Sequence, residues 1–191
     1  MNSTTLTLPL TLTLIRLIVS PLLLPLGLVY LLPYNNMLIN NALALMFVLL
    51  GLTDFFDGYL ARKYNQETNL GKTLDPLADK FHFFSALIAL VAVKKIFFFW
   101  AIIFIGREFF IMGIRILALE QGFDIPVSWL GKCKTFFQMA YVTCLIGNYS
   151  QTLGGGFVVL EKFLLISSLL ISLVSAYKYF NVFRKRSYII F

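Results

Sequence analysis

Six apolar runs, near residues 12–33, 37–56, 76–93, 96–118, 129–148 and 156–177, constrain this chain more than any other feature. Each comes close to the roughly 20 residues that a helix needs to cross the hydrocarbon core of a bilayer. A spanning segment must satisfy its backbone polar groups internally, so the runs predict an all-α, polytopic membrane protein folded as a six-transmembrane-helix bundle. Composition agrees: 59% of the residues are hydrophobic and 13% are charged, against about one quarter charged in an ordinary soluble domain. The connecting loops are short, and neither an internal repeat nor a linker rich in Gly, Ser or Pro divides the 191 residues. One integral-membrane domain over 1–191 is therefore expected. The first dozen residues hold no Lys or Arg and no small-residue cleavage pattern follows, so the first run reads as a retained span and not a signal peptide.

Lys and Arg accumulate in cytoplasmic loops. Arg62, Lys63 and Lys72 follow the second run, Lys132 and Lys134 open the fifth, and Arg184, Lys185 and Arg186 lie in the tail. The loops at 33–37 and 148–156 carry no basic residue, and only Lys94 and Lys95 dissent. Both termini are thus expected in the cytoplasm, with the chain multi-pass in the cytoplasmic (inner) membrane. The net charge of +7 is then a basic inner face resting on anionic lipid, not a nucleic-acid surface. Cys133 and Cys144 have no framework spacing and are expected as free thiols.

Between the second and third runs stands DFFDGYLARKYNQETNLGKTLDPLAD, residues 54–79, with four aspartates beside apolar segments. Unpaired in lipid they would cost on the order of 10 kcal/mol together. Asp54 and Asp57 are three apart and Asp75 and Asp79 four apart, so if the flanking helices reach this far, each pair shares a face. Two such faces meeting make a cluster of like charges that Arg62, Lys72 and Lys80 balance only in part; a divalent cation resolves the conflict. Hard oxygen donors without His or Cys favour Mg2+ or Mn2+, and four carboxylates suit two ions better than one. Asp75 directly before Pro76 also reads as an N-cap with proline at the first helical position. His82, the only histidine, is expected to pack or support and not to act as acid or base.

Asp54, Asp57, Gly58, Ala61, Arg62, Gly71, Asp75 and Asp79 reproduce D-x2-D-G-x2-A-R-x8-G-x3-D-x3-D. On these residues the chain resembles the CDP-alcohol phosphatidyltransferase family. The resemblance implies a metal-dependent enzyme that moves a phosphatidyl group from CDP-diacylglycerol to an alcohol and releases CMP, in a cavity open to the cytosol. It further implies that Asp54, Asp57, Asp75 and Asp79 hold two divalent ions, that Asp79 is the general base, and that the protein is a homodimer in membrane lipid. Gly58, Ala61, Arg62 and Thr68 match the family's CDP-cradling positions.

The acceptor has to be read elsewhere. Arg107 lies well inside the fourth apolar run and Arg115 eight residues on, about 12 Å along a helix and on roughly the same side. Glu108, adjacent in sequence, reads as a poor partner for Arg107, because neighbours one apart do not face each other; an inter-helix ion pair is the plain alternative. Lys132 and Lys134 point to different sides, so at most one joins the arginines. Cations converging there would suit an acceptor that carries its own phosphate. The stretches Gly106–Arg115 and Ser128–Gln138 are similar to the branch of the family whose acceptor is glycerol 3-phosphate. So is Leu8–Pro21, with Thr13 and Arg16 in matching CDP-diacylglycerol positions, although Leu10 stands where that branch has Asn. Alternatives at this point are a sibling transferase using inositol phosphate, serine or phosphatidylglycerol, and a divalent-cation transporter.

Overall fold

The computed structural model describes residues 8–63, 69–126 and 129–190; over 8–17, 19, 53–63, 69–79, 152 and 188–190 it describes the backbone only. Among the described residues the chain is helical, without strands. Helices α1 (Leu8–Leu31), α2 (Met37–Lys63), α3 (Asn69–Ala92), α4 (Phe98–Glu120), α5 (Trp129–Gly147), the short α6 (Tyr149–Thr152) and α7 (Gly155–Ile190) follow in order, with a 3-10 turn at Leu32–Tyr34. The long helices α1–α5 and α7 coincide with the six apolar runs. Gly155–Ser187 is long and apolar enough to cross a membrane, and Ser20–Tyr34, Met37–Leu52 and Lys80–Ala92 are shorter apolar segments. Helix α4 has the length, at 23 residues, but carries Arg107, Glu108, Arg115 and Glu120.

The aspartate-rich segment is mostly helix and not loop. Helix α2 runs on to Lys63 and α3 starts at Asn69, so Asp75 and Pro76 stand inside α3 and the N-cap reading of that pair does not hold. A proline within a helix forfeits the hydrogen bond to the carbonyl four residues earlier, a loss that membrane helices tolerate. Helix α1 carries two, Pro21 and Pro25.

The chain packs as two compact units, Met1–Lys95 with Leu145–Asn148, and Ile96–Cys144 with Tyr149–Phe191. In the first, α1 packs against both α2 and α3, most extensively α3. Its buried stripe is Ser20, Leu24 and Leu28, continued by Leu32 in the 3-10 turn, one residue per turn at the spacing that keeps a helix face to its neighbour. Gly27 lets α2 close in: a Cβ there would stand 3.2 Å from Leu43 Cδ2.

The dissenting Lys95 finds its explanation in this unit. Its Nζ donates to Asn148 Oδ1 at 2.6 Å, and Asn148 Nδ2 donates to Asn35 Oδ1. Asn35 and Asn148 both hold left-handed backbone, φ 53° and 55°, a conformation in which Asn is favoured over other non-glycine residues. Lys95 is thus committed to a clamp between turns.

In the second unit, α4 packs against α7, and Ile111, Ile114, Ala118, Ile125, Ala176 and Tyr179 form an apolar cluster. Helix α7 is inside out by the standards of a soluble protein. Ser168, Ser172 and Ser175 are buried, while Phe163, Ile166, Leu170, Leu173 and Tyr177 are exposed. That distribution suits a helix whose outer face meets lipid, where small residues allow close helix packing. Cys133 and Cys144 are free thiols, as expected.

Candidate active site

The signature falls on two helices that pack together. Asp54, Asp57, Gly58, Ala61 and Arg62 lie late in α2, and Gly71, Asp75 and Asp79 early in α3. Thr13 and Arg16 lie in α1. The side chains of all these residues, and Thr68 altogether, are outside the described residues. The backbone meets the condition on which the carboxylate reading depended. Helical geometry runs through all four aspartates, so each pair shares a helix face. Four oxygen donors on packed helices fit hard divalent ions.

One turn beyond Asp79 on α3 sits His82, 1% exposed. Its Nε2 is 3.1 Å from the Phe47 carbonyl oxygen on α2 and its Nδ1 is 2.6 Å from Ser20 Oγ on α1. A carbonyl only accepts, so Nε2 donates to Phe47, while the Ser20 hydroxyl, which can donate or accept, pairs with Nδ1: one imidazole joins three helices. Its ring also stacks on Phe47, centroids 4.6 Å apart at 20°. Ser85 Oγ donates to the carbonyl oxygens of Ser20 and His82, at 3.3 and 3.0 Å.

The predicted acceptor cations belong to the second unit. Arg107 is buried between α4 and α7: Nη2 donates to Ser175 Oγ at 2.6 Å and Nε to the Ser172 carbonyl at 3.2 Å. Nη1 donates to Glu108 Oε1 at 2.9 Å, and Lys134 Nζ on α5 reaches the same oxygen. The expectation that Glu108 would be a poor partner is therefore wrong. The rule that adjacent residues diverge concerns Cβ directions, and an Arg side chain is long enough to turn back over its own helix. Of the lysine pair, Lys134 is buried and Lys132 exposed, so the two do point to different sides; Arg115 is half-buried.

Sequence reasoning missed Glu108, Ser172 and Ser175 as parts of this network. Serines at 168, 172 and 175 repeat at a single-face helical spacing, a signal that could have marked them. Gln138, one turn past Lys134, and Ser172 keep Nε2 and Oγ respectively buried without a hydrogen-bond partner among the described residues.

The sequence model of the CDP-alcohol phosphatidyltransferase family matches residues 6–174. The chain belongs to the CDP-alcohol phosphatidyltransferase family. Members of this family are membrane-embedded and generally use divalent metal ions. The match takes in every signature residue as well as Arg107, Arg115, Lys132 and Lys134. Among curated relatives, the CDP-diacylglycerol–glycerol-3-phosphate 3-phosphatidyltransferase of Rickettsia typhi is 35% identical over 177 residues, covering 91% of this phosphatidyltransferase and 95% of its own length. The protein of the same name from Wigglesworthia glossinidia brevipalpis is 34% identical over 184 residues, covering 93% and 94%. The one from Bacillus subtilis reaches 42% over 103 residues, about half of each chain.

Proposed function

We propose that this phosphatidyltransferase transfers a phosphatidyl group from CDP-diacylglycerol to glycerol 3-phosphate, giving phosphatidylglycerophosphate and CMP in phospholipid biosynthesis. The observation that carries the reading is end-to-end similarity to relatives bearing that activity in their names. The chemistry of the network at Arg107 agrees with it. Arg107 and Lys134 are buried cations held side by side, and Gln138 Nε2 and Ser172 Oγ are buried without a hydrogen-bond partner among the described residues. An acceptor with a phosphate and free hydroxyls supplies what such groups need.

Asp54, Asp57, Asp75 and Asp79 hold two divalent ions, Mg2+ or Mn2+, which when bound neutralise the diphosphate and the departing CMP. Asp79 takes the proton from the acceptor hydroxyl as its oxygen attacks the phosphorus bearing diacylglycerol; the bond from that phosphorus to the CMP oxygen breaks. Gly58, Ala61, Arg62, Thr68, Thr13 and Arg16 bind the CDP-diacylglycerol. Arg107 and Lys134, with Arg115 two turns further along α4, bind the acceptor phosphate, and Lys132, which points to a different side of α5, does not join them. The chain works as one six-span domain in the cytoplasmic membrane, both termini inside, paired as a homodimer.

An acceptor screen tests the assignment. Purified protein with CDP-diacylglycerol is offered glycerol 3-phosphate, inositol phosphate, serine and phosphatidylglycerol in turn, and CMP release is measured. Glycerol 3-phosphate should support turnover; release of CMP with another acceptor and none with glycerol 3-phosphate would reject it.

A further inference from the structure

The histidine that the reaction does not use lies where two carrying helices must be held in step. We propose that His82 is a positioning residue that sets the register of α2 against α3, bringing Asp54 and Asp75 level for metal binding. This rests on the metal-site reading above.

In an antiparallel helix pair, one fixed contact sets every other level. Moving n residues forward on one helix and n back on the other keeps the two positions at equal height, 1.5 Å per residue. His82 Nε2 on the Phe47 carbonyl, with the two rings stacked, is such a contact. Seven residues forward from Phe47 is Asp54, and seven back from His82 is Asp75. Seven residues is nearly two whole turns, so each aspartate also lies on the helix face that carries the contact. The register therefore sets Asp54 and Asp75 opposite each other about 10 Å from the histidine. Asp79, one turn from His82, and Asp57, one turn past Asp54, complete the two faces.

The contact is built to keep that register. Its acceptor on α2 is a backbone carbonyl, which reports the position of the helix itself and not of a movable side chain. Ser20 on α1 holds the other ring nitrogen, Nδ1, at 2.6 Å and so fixes the direction in which Nε2 faces Phe47. Sliding α2 by one residue would break a buried hydrogen bond and unstack the rings, and the carboxylates would lose their level by the same step.

The test uses the full chain in detergent, with Mn2+ binding read by electron paramagnetic resonance so that activity is not the only readout. Loss of a group that orients metal ligands costs about 10–100-fold in metal affinity. His82→Ala should weaken Mn2+ binding to that extent, Ser20→Ala should weaken it less, and His82→Gln, which can donate to Phe47 and accept from Ser20, should restore most of it. A merely structural histidine would lower Tm in His82→Ala while leaving Mn2+ affinity at the wild-type value, and that result would overturn the proposal. If His82→Ala does not fold, unchanged Mn2+ affinity in Ser20→Ala overturns it equally. A second readout does without metal. Gly51→Cys and Ala78→Cys, four residues from the contact on each helix, are joined by a short bismaleimide in a background with Cys133 and Cys144 replaced by Ser. Efficient joining that drops with His82→Ala supports the register, and joining that His82→Ala leaves unchanged refutes it. Wild-type protein that releases CMP without binding Mn2+ would bring down the metal reading while the cross-link still reports on the register.

Discussion

At the scale of single residues the proposed chemistry separates binding from proton transfer. Asp79→Asn retains an oxygen donor but cannot take a proton, so turnover should fall by about 100-fold or more with the protein still folded; near-normal CMP release would remove Asp79 from the base role. Arg107 has two claims on it, ion pair and acceptor. If it binds the acceptor phosphate, Arg107→Ala raises KM for glycerol 3-phosphate well beyond KM for CDP-diacylglycerol, and steady-state kinetics with each substrate varied in turn decides. Glu108 carries a different expectation. One carboxylate oxygen receives both Arg107 and Lys134 in a buried setting, and removing one partner of a buried ion network typically costs about 3–5 kcal/mol. Glu108→Gln should therefore lower the thermal midpoint in detergent markedly, whereas Lys132→Gln, at an exposed position, should hardly move it.

At the scale of elements, turns and helix faces answer to different rules. Asn148 accepts from Lys95 and donates to Asn35 while holding φ at 55°. Asn148→Gly loses the side-chain bonds but keeps the backbone, and Asn148→Ala loses both, at a further cost of about 1–2 kcal/mol. Thermal unfolding of the two variants should rank glycine above alanine; equal midpoints would mean that the backbone conformation is of no consequence. The long helices were legible because hydrophobic length is a local property, and the free thiols because no spacing suggested otherwise. Helix α3 starting at Asn69 was not. The Asp75–Pro76 pair looked like a helix start, and nothing local to it reveals that six further residues ahead of it join the helix.

At the scale of the molecule, the proposed orientation puts the basic connections on the inner side, and α7 buries Ser168, Ser172 and Ser175 while exposing Phe163, Ile166 and Leu170. With Cys133 and Cys144 replaced, a cysteine introduced at Ser187 should resist a membrane-impermeant maleimide added outside intact cells and react once they are opened; labelling from outside would reverse the proposed orientation. Membrane class, the long helices and the placement of the aspartates on helices α2 and α3 could be read from one dimension, because each depends on runs and spacings along a single stretch of chain. The partners of His82, Arg107, Lys134 and Lys95 could not. Apart from Glu108 beside Arg107, those named above lie between 26 and 68 residues away in sequence, on elements whose meeting faces are chosen by packing, and spacing within one helix carries no information about which face of another it will meet.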